Sequence, residues 1–304
     1  MTIQEVCTLW KTDRKRFIKA SSYAIYLNHI NLHIIPFFGS YTEVGENDVQ
    51  RFVLELLGTG LAASTVRENV TVLKMIVKYG ARNGQWPLPD WDIKYPSVSR
   101  RKEIEVLTLS EHKKIIDYIK RHLDERNAGI YICLSTGLRI GEVCALRWMD
   151  IDLERRQLHV RNTLERIYTA ENQGTHTTLV MSSPKTANSL RAIPLTQDIC
   201  KVLVPLLRGR EKEDFVLSGS RHPLEPRTYR NYYHQYMRDA GLPDVRFHVL
   251  RHSFGTRCIE SGCDYKTVSV LLGHSNISTT LNLYVHPNYE QKMKCMEKLQ
   301  SFIN

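Results

Sequence analysis

The sequence predicts a mainly α-helical chain with a small antiparallel β-sheet, and three patterns predict it. Within residues 65–83, Val66, Val70, Leu73, Val77 and Gly80 recur at the helical period. Thr108 and Glu111 have capping-box spacing ahead of Ile115, Ile116, Ile119 and Leu123, which marks the start of another amphipathic helix. Between residues 150 and 195 the character changes to short β-prone runs at 157–161, 177–181 and 190–195, separated by turn residues.

Taken in order, residues 1–85 read as a helical domain with helices near 21–37, 46–58 and 65–83. Thr65 and Glu68 have the spacing of a capping box at the start of the third. Arg67, Lys74, Lys78 and Arg82 fall along a stripe beside its apolar face, either as a solvated surface or as a phosphate-facing one. Residues 86–107 contain Trp86-Pro87-Leu88-Pro89, Tyr95-Pro96 and the basic run Arg100, Arg101, Lys102; prolines disfavour continued helix, so an interdomain linker is expected there. Residues 108–304 then form the second domain. In it Gly137 can supply a turn that brings Arg139 to a helix start. A helix over 225–240 places Arg227, Arg230 and His234 on one side and packs through Tyr229, Tyr232, Tyr233, Tyr236 and Met237.

A chain of 304 residues can bury two cores. Its 42 Lys+Arg against 32 Asp+Glu give a net charge of +10, a balance that favours a polyanionic partner. No apolar run approaches the roughly 18 residues of a membrane span, so no membrane partner is expected. Seven cysteines without a Cys-x-x-Cys pair read as reduced thiols in a cytoplasmic protein. His248 and His252 have an i, i+4 spacing seen in metal sites, but no glutamate or third ligand accompanies them, and no metal is expected.

The chemistry-bearing residues lie in four segments: Thr136-Gly137-Leu138-Arg139-Ile140-Gly141-Glu142, Pro184-Lys185-Thr186, His248-Val249-Leu250-Arg251-His252, and Leu271-Leu272-Gly273-His274 followed by Tyr284. With 15 tyrosines and 12 histidines in the chain, any one of them alone is ordinarily a packing or surface residue; the whole set in this order is specific. These segments resemble the tyrosine recombinases, or phage integrase family. The resemblance implies a helical core-binding domain followed by an α+β tyrosine-recombinase catalytic domain. It also implies that Arg139, His248 and Arg251 surround a scissile DNA phosphate, His274 donates to it, Lys185 protonates the departing 5′ oxygen and Tyr284 attacks, leaving a covalent 3′-phosphotyrosine. Glu142 would orient Arg139, and His252 would be structural. Arginine suits the phosphate because its guanidinium stays charged and donates a planar fork of hydrogen bonds.

On the same resemblance the partners are double-stranded DNA recombination sites, bound by Arg67, Lys74, Lys78, Arg82, Arg100, Arg101, Lys102, Arg227 and Arg230. Monomers would assemble into a homotetramer in synapsis, with accessory DNA-bending or directionality proteins, and the apolar tail after Tyr284 would dock on a neighbouring protomer. No cofactor is expected. The core-binding region begins close to residue 1, so no arm-binding domain is expected ahead of it. The expected role is that of an integrase or invertase of a bacterial mobile element. Alternatives are a chromosome-dimer resolvase, against which stands Asn288 where that group has arginine after His286-Pro287, a type IB topoisomerase-like enzyme, and a catalytically silent DNA-binding regulator.

Overall fold

A computed structural model describes residues 1–96, 104–169, 176–183, 189–284 and 289–303. The chain divides into two compact units, Met1–Lys102 with Arg166–Leu179, and Glu103–Glu165 with Val180–Asn304.

The first unit is helical. Helix α1 (Ile3–Arg14) was not among the helices expected, although Ile3, Val6, Cys7 and Trp10, all buried, carry the helical period. Thr2 caps it, its hydroxyl accepting from Glu5 N while Glu5 Oε2 accepts from Thr2 N at 2.8 Å. The helix expected near 21–37 is realised as α2 (Ala20–His29), a π-helical turn (Ile30–Ile34) and α3 (Ile35–Phe38). Pro36 has no N–H to give to an α-helical ladder, and the wider turn, in which Ile35 N reaches back to Ile30 O, accommodates it. Helices α4 (Glu46–Gly58) and α5 (Ala63–Arg82) complete the unit.

Helix α5 begins two residues earlier than expected, and its cap is not Thr65. Ala62 occupies the cap position without a side-chain hydrogen bond, and Gly60, at φ 85°, separates α5 from α4. Glu68 instead faces His29, Oε2 to Nε2 at 3.7 Å. The expected apolar face is buried, with Asn69, Val72 and Ile76 added to it.

The segment read as linker is largely part of this unit. Trp86, Trp91, Ile93 and Tyr95 pack against its core, and Gln50 brackets Lys94, donating to its carbonyl at 3.1 Å and accepting from its amide at 2.9 Å. Two cations of the α5 stripe hold the same segment. The Arg67 guanidinium lies 3.9 Å from the centre of the Tyr95 ring, and Lys74 Nζ donates to Trp91 O at 3.3 Å. Lys78 and Arg82 remain exposed. Arg100, Arg101 and Lys102 lie outside the described residues.

The second unit starts from Leu107, buried at 1% exposure, and from α6 (Leu109–Arg121), whose Thr108–Glu111 capping box forms as expected. Helix α7 (Glu125–Thr136) is buried along almost its entire length. Along the chain then come α8 (Ile140–Cys144), strands β1 (Ile151–Asp152), β2 (Gln157–Val160), β3 (Thr163–Thr169), β4 (His176–Ser182) and β5 (Arg191–Pro194), and helices α9 (Gln197–Leu207), α10 (Pro226–Asp239), α11 (His248–Glu260), α12 (Tyr265–Leu272), α13 (Ile277–Tyr284) and α14 (Tyr289–Ile303); of these, most of β3 and β4 belongs to the first unit.

The β-prone runs do not share one sheet. Strand β2 pairs antiparallel with β1 and β5, with Leu158 opposite Ile193, whereas β4 pairs with β3 in a separate two-stranded sheet. The two outer runs can pair because the strands between them, β3 and β4, pair with each other.

Tyr229, Tyr233 and Met237 of α10 are buried as expected, and Tyr229 donates its hydroxyl proton to Arg126 O at 2.8 Å. Tyr229 also sets the spacing of α7 against α10. A Cβ at Gly129 would lie 2.3 Å from Tyr229 Oη and 2.4 Å from Leu217 Cδ2. Gly→Ala in an exposed helix interior stabilises by about 1 kcal/mol, but here the clash reverses the sign. Gly129→Ala should therefore destabilise the protein, by about 1–3 kcal/mol as overpacked cores do, read as a lower midpoint in thermal or denaturant unfolding.

Candidate active site

Three chain segments meet in the second unit. The first is the turn between α7 and α8. Gly137 ends α7 in the left-handed region (φ 67°), and a Cβ there would lie 2.6 Å from the Phe254 ring. Two residues later Arg139 occupies the cap position of α8 with extended backbone, as its place after Gly137 suggested. Glu142 closes the turn, accepting from Arg139 N at 2.9 Å and from Arg139 Nη1 at 2.8 Å.

The second segment is the start of α11. His248 stands at its first position, exposed, and Arg251 one turn on is 2% exposed. Arg251 spends its guanidinium on backbone carbonyls, Nη1 on Gly137 O and Nη2 on Leu272 O, both at 2.7 Å. One buried cation thus joins the turn before Arg139 to the end of α12.

The third segment is that end of α12. Gly273 closes the helix in the left-handed region (φ 65°), and His274 N donates back to Ser269 O at 3.0 Å. Gly273 O lies 3.4 Å from Arg139 Nη2. The His274 ring is oriented through Nδ1, 2.8 Å from Oγ1 of the fully buried Thr280, which leaves Nε2 as the other ring nitrogen.

The structure thus brings Arg139, Glu142, Arg251 and His274 into one hydrogen-bonded arrangement, with His248 on the same helix as Arg251. Tyr284 ends α13. Lys185 lies outside the described residues. Arg227 and Arg230 are exposed on α10, while His234 is tied to Asp244.

Two contributors escaped the reading of the sequence. Thr280 was one of several threonines in an apolar helix. Arg191 was one of many basic residues near a turn, yet its side chain is 4% exposed and contacts Glu142 at 2.9 Å. Among the described residues no group of three or more His, Cys, Asp or Glu is placed to hold a metal ion. Nor is any described helix long and apolar enough to cross a membrane.

The electrostatics follow from burial of two imidazoles and, after it, from the cations beside them. Surrounding protein, then His252, Arg251 and Arg139, push His248 down to about 4, against the pull of Glu142. Burial, followed by Arg251, Arg139, Arg191 and His248, does the same to His274, also to about 4. His252, its ring edge-on to His248 at 4.6 Å, is lowered by burial and by Arg251. Burial alone would raise Glu142; the hydrogen bonds and charge of Arg191, then the charge and backbone N–H of Arg139, outweigh it and keep the carboxylate ionised. The result is a positively charged cluster with neutral imidazoles, suited to a phosphate and to proton transfer beside it.

Residues 105–291 match the family described as Phage integrase family, and residues 2–57 match the phage integrase N-terminal SAM-like domain. The tyrosine recombinase XerC-like protein of Caldanaerobacter subterraneus subsp. tengcongensis is 30% identical over 277 residues, covering 83% of this chain and 69% of that one. The ICEBs1 integrase of Bacillus subtilis is 26% identical over 280 residues, covering 87% and 74% respectively. In fold, the Tn1549 transposon integrase solved with transposon right-end DNA gives a TM-score of 0.77 at 22% identity, covering 99% of this chain and 100% of that one.

The imidazole values set a pH dependence. Both histidines sit lower in the folded chain, about 4, than the ordinary 6.5, so between these values the unfolded chain binds more protons. Stability should fall as pH drops from 6.5 towards 4 and level off below, and denaturant melts of a His248→Gln, His274→Gln variant should show a shallower fall across that window.

Proposed function

The chain belongs to the phage integrase family of tyrosine recombinases, and from that membership we propose that it is the integrase of a bacterial mobile element. It exchanges strands between double-stranded DNA recombination sites. The observation that carries the assignment of roles is the bonding of Arg251 to Gly137 O and Leu272 O, which draws Arg139 and His274 to one place.

Tyr284 is the nucleophile. Its oxygen attacks the scissile phosphorus, gives up its proton to water, and displaces the 5′ oxygen of the next nucleotide, which takes up a proton from Lys185. A phenol of pKa about 10 is a poor nucleophile at neutral pH unless cations favour its anion, and the arginines supply them. Arg139, with 37% of its side chain exposed, and His248 donate to the phosphate oxygens from the open side, and Arg251 adds charge from beneath. His274, aimed by Thr280, donates to the same group. In-line attack builds extra negative charge on a five-coordinate phosphorus, and donors already in place stabilise it more than the ground state. The 3′-phosphotyrosine retains the bond energy, so a second 5′ hydroxyl reverses the step on a new partner without ATP. Arginine, histidine and lysine take the roles that a divalent ion fills in other phosphoryl-transfer sites.

The first unit is the core-binding domain, gripping DNA with Lys78 and Arg82, while Arg67 and Lys74 brace the 86–96 segment through Tyr95 and Trp91. Arg227 and Arg230 of α10 add contacts from the catalytic domain. Monomers join into a tetramer on DNA through α14, a reading supported by Met296, Phe302 and Ile303, exposed at 60%, 89% and 72%. The enzyme acts in the cytoplasm.

The likeness to a XerC-like recombinase supports chromosome-dimer resolution as a second reading. Recombination of repeats flanking the gene favours the element integrase; recombination only at a chromosomal dimer-resolution site favours the other.

The assay for the chemistry is adduct trapping on a nicked duplex built from those flanking repeats, resolved on a denaturing gel. Wild type should give a DNA-linked band and Tyr284→Phe none, at equal DNA binding; an adduct that survives in Tyr284→Phe places the nucleophile elsewhere. Arg139→Ala should slow adduct formation by about 100- to 1,000-fold, the usual cost of one preorganised donor.

A further inference from the structure

We propose that Arg191 is a positioning residue for strand cleavage, acting through Glu142 to hold the Arg139 guanidinium in its working orientation. The proposal rests on the recombinase reading above. Arg191 stands on β5 opposite Val160, and with its side chain 4% exposed it is withdrawn from any DNA phosphate. It makes four hydrogen bonds: Nη2 to Glu142 Oε2 at 2.9 Å, Nη1 to Glu142 Oε1 at 3.2 Å and to Ser189 O at 3.1 Å, and Nε to Leu271 O at 2.7 Å.

The arrangement on Glu142 is what separates positioning from a plain buried ion pair. Each carboxylate oxygen is shared between the two arginines. Oε1 accepts from Arg139 Nη1 and Arg191 Nη1, and Oε2 from Arg139 N and Arg191 Nη2. The Glu142 side chain is 3% exposed, so without Arg191 its charge would have Arg139 as its remaining ionic partner. A buried carboxylate in that position either draws the remaining guanidinium onto itself or takes up a proton. Both outcomes move Arg139 away from the phosphate. The pair Arg139–Glu142 alone also sums to zero charge, and Arg191 restores the net positive charge that the phosphorane requires. Through Leu271 O the same guanidinium steadies the run that leads to Gly273, whose carbonyl meets Arg139, and to His274.

The test compares Arg191→Gln, Arg191→Lys, Glu142→Gln and the double variant Arg191→Gln, Glu142→Gln. For each, single-turnover adduct formation on the nicked duplex is measured beside DNA affinity and melting temperature. Arg191→Gln should bind the duplex within about threefold of wild type yet form the adduct about 100-fold more slowly, as misplacement of a reacting group costs. Arg191→Lys keeps the charge but lacks the planar fork, and should be about 10-fold slow. If Arg191 acts through Glu142, adding Arg191→Gln to Glu142→Gln should cost no more than about threefold further. An Arg191→Gln rate within threefold of wild type, or the same penalty in both backgrounds, overturns the proposal. Should Arg191→Gln fail to fold, Arg191→Lys decides: slowing at unchanged affinity and melting temperature supports the proposal, and a wild-type rate overturns it. Wild type that binds the duplex and forms no adduct refutes the recombinase reading itself, an outcome separate from any difference among the variants.

Discussion

A carboxylate held out of water between two guanidinium groups is the constraint on which the second unit depends. Glu142 is 3% exposed and remains ionised because Arg191 and Arg139 saturate both of its oxygens. A buried charge of this kind contributes little net stability over an apolar replacement, and it is costly to leave half-paired. What it supplies is geometry: the sheet through Arg191, the α8 turn through Arg139 and the end of α12 through Leu271 O are fixed relative to one another.

Two glycines make that geometry possible. Gly137 and Gly273 end α7 and α12 in the left-handed region, and both present their carbonyls to arginines, Gly137 to Arg251 and Gly273 to Arg139. A helix that stops in this way exposes acceptors at its carboxyl end, where the backbone dipole favours a cation. Helix ends therefore anchor the site's arginines, while part of Arg139 and His248 stay exposed. Burial, reinforced by the neighbouring cations, keeps the imidazoles neutral.

The helical architecture was largely legible from residue patterns. The Thr108–Glu111 cap, the buried face of α5, the core tyrosines of α10 and the Gly137–Arg139 turn all lie where local spacing put them. Reading failed where local rules competed. Thr65–Glu68 has the cap spacing, but the alanines before it extend the helix past the threonine. The prolines around 86–96 argued for a linker, yet Trp86, Trp91 and Tyr95 found an apolar and cationic surface on α4 and α5 to pack on. The β-prone runs were recognised as strands, but which of them pair was not a local property.

The sequence by itself determined the family and the identity of the candidate catalytic set, because those depend on residue types at short spacings within single turns and helices. The tertiary structure decided which basic residues support the others. Arg191 and Arg139 are 52 positions apart and chemically alike, and burial against Glu142 separates the one withdrawn at 4% exposure from the one still open at 37%. The fate of Arg67, stacked on Tyr95 rather than left bare on its helix, was decided in the same way. Charge on a side chain is written in the sequence, but its partner and its exposure depend on chain segments far away, which only the folded molecule brings together.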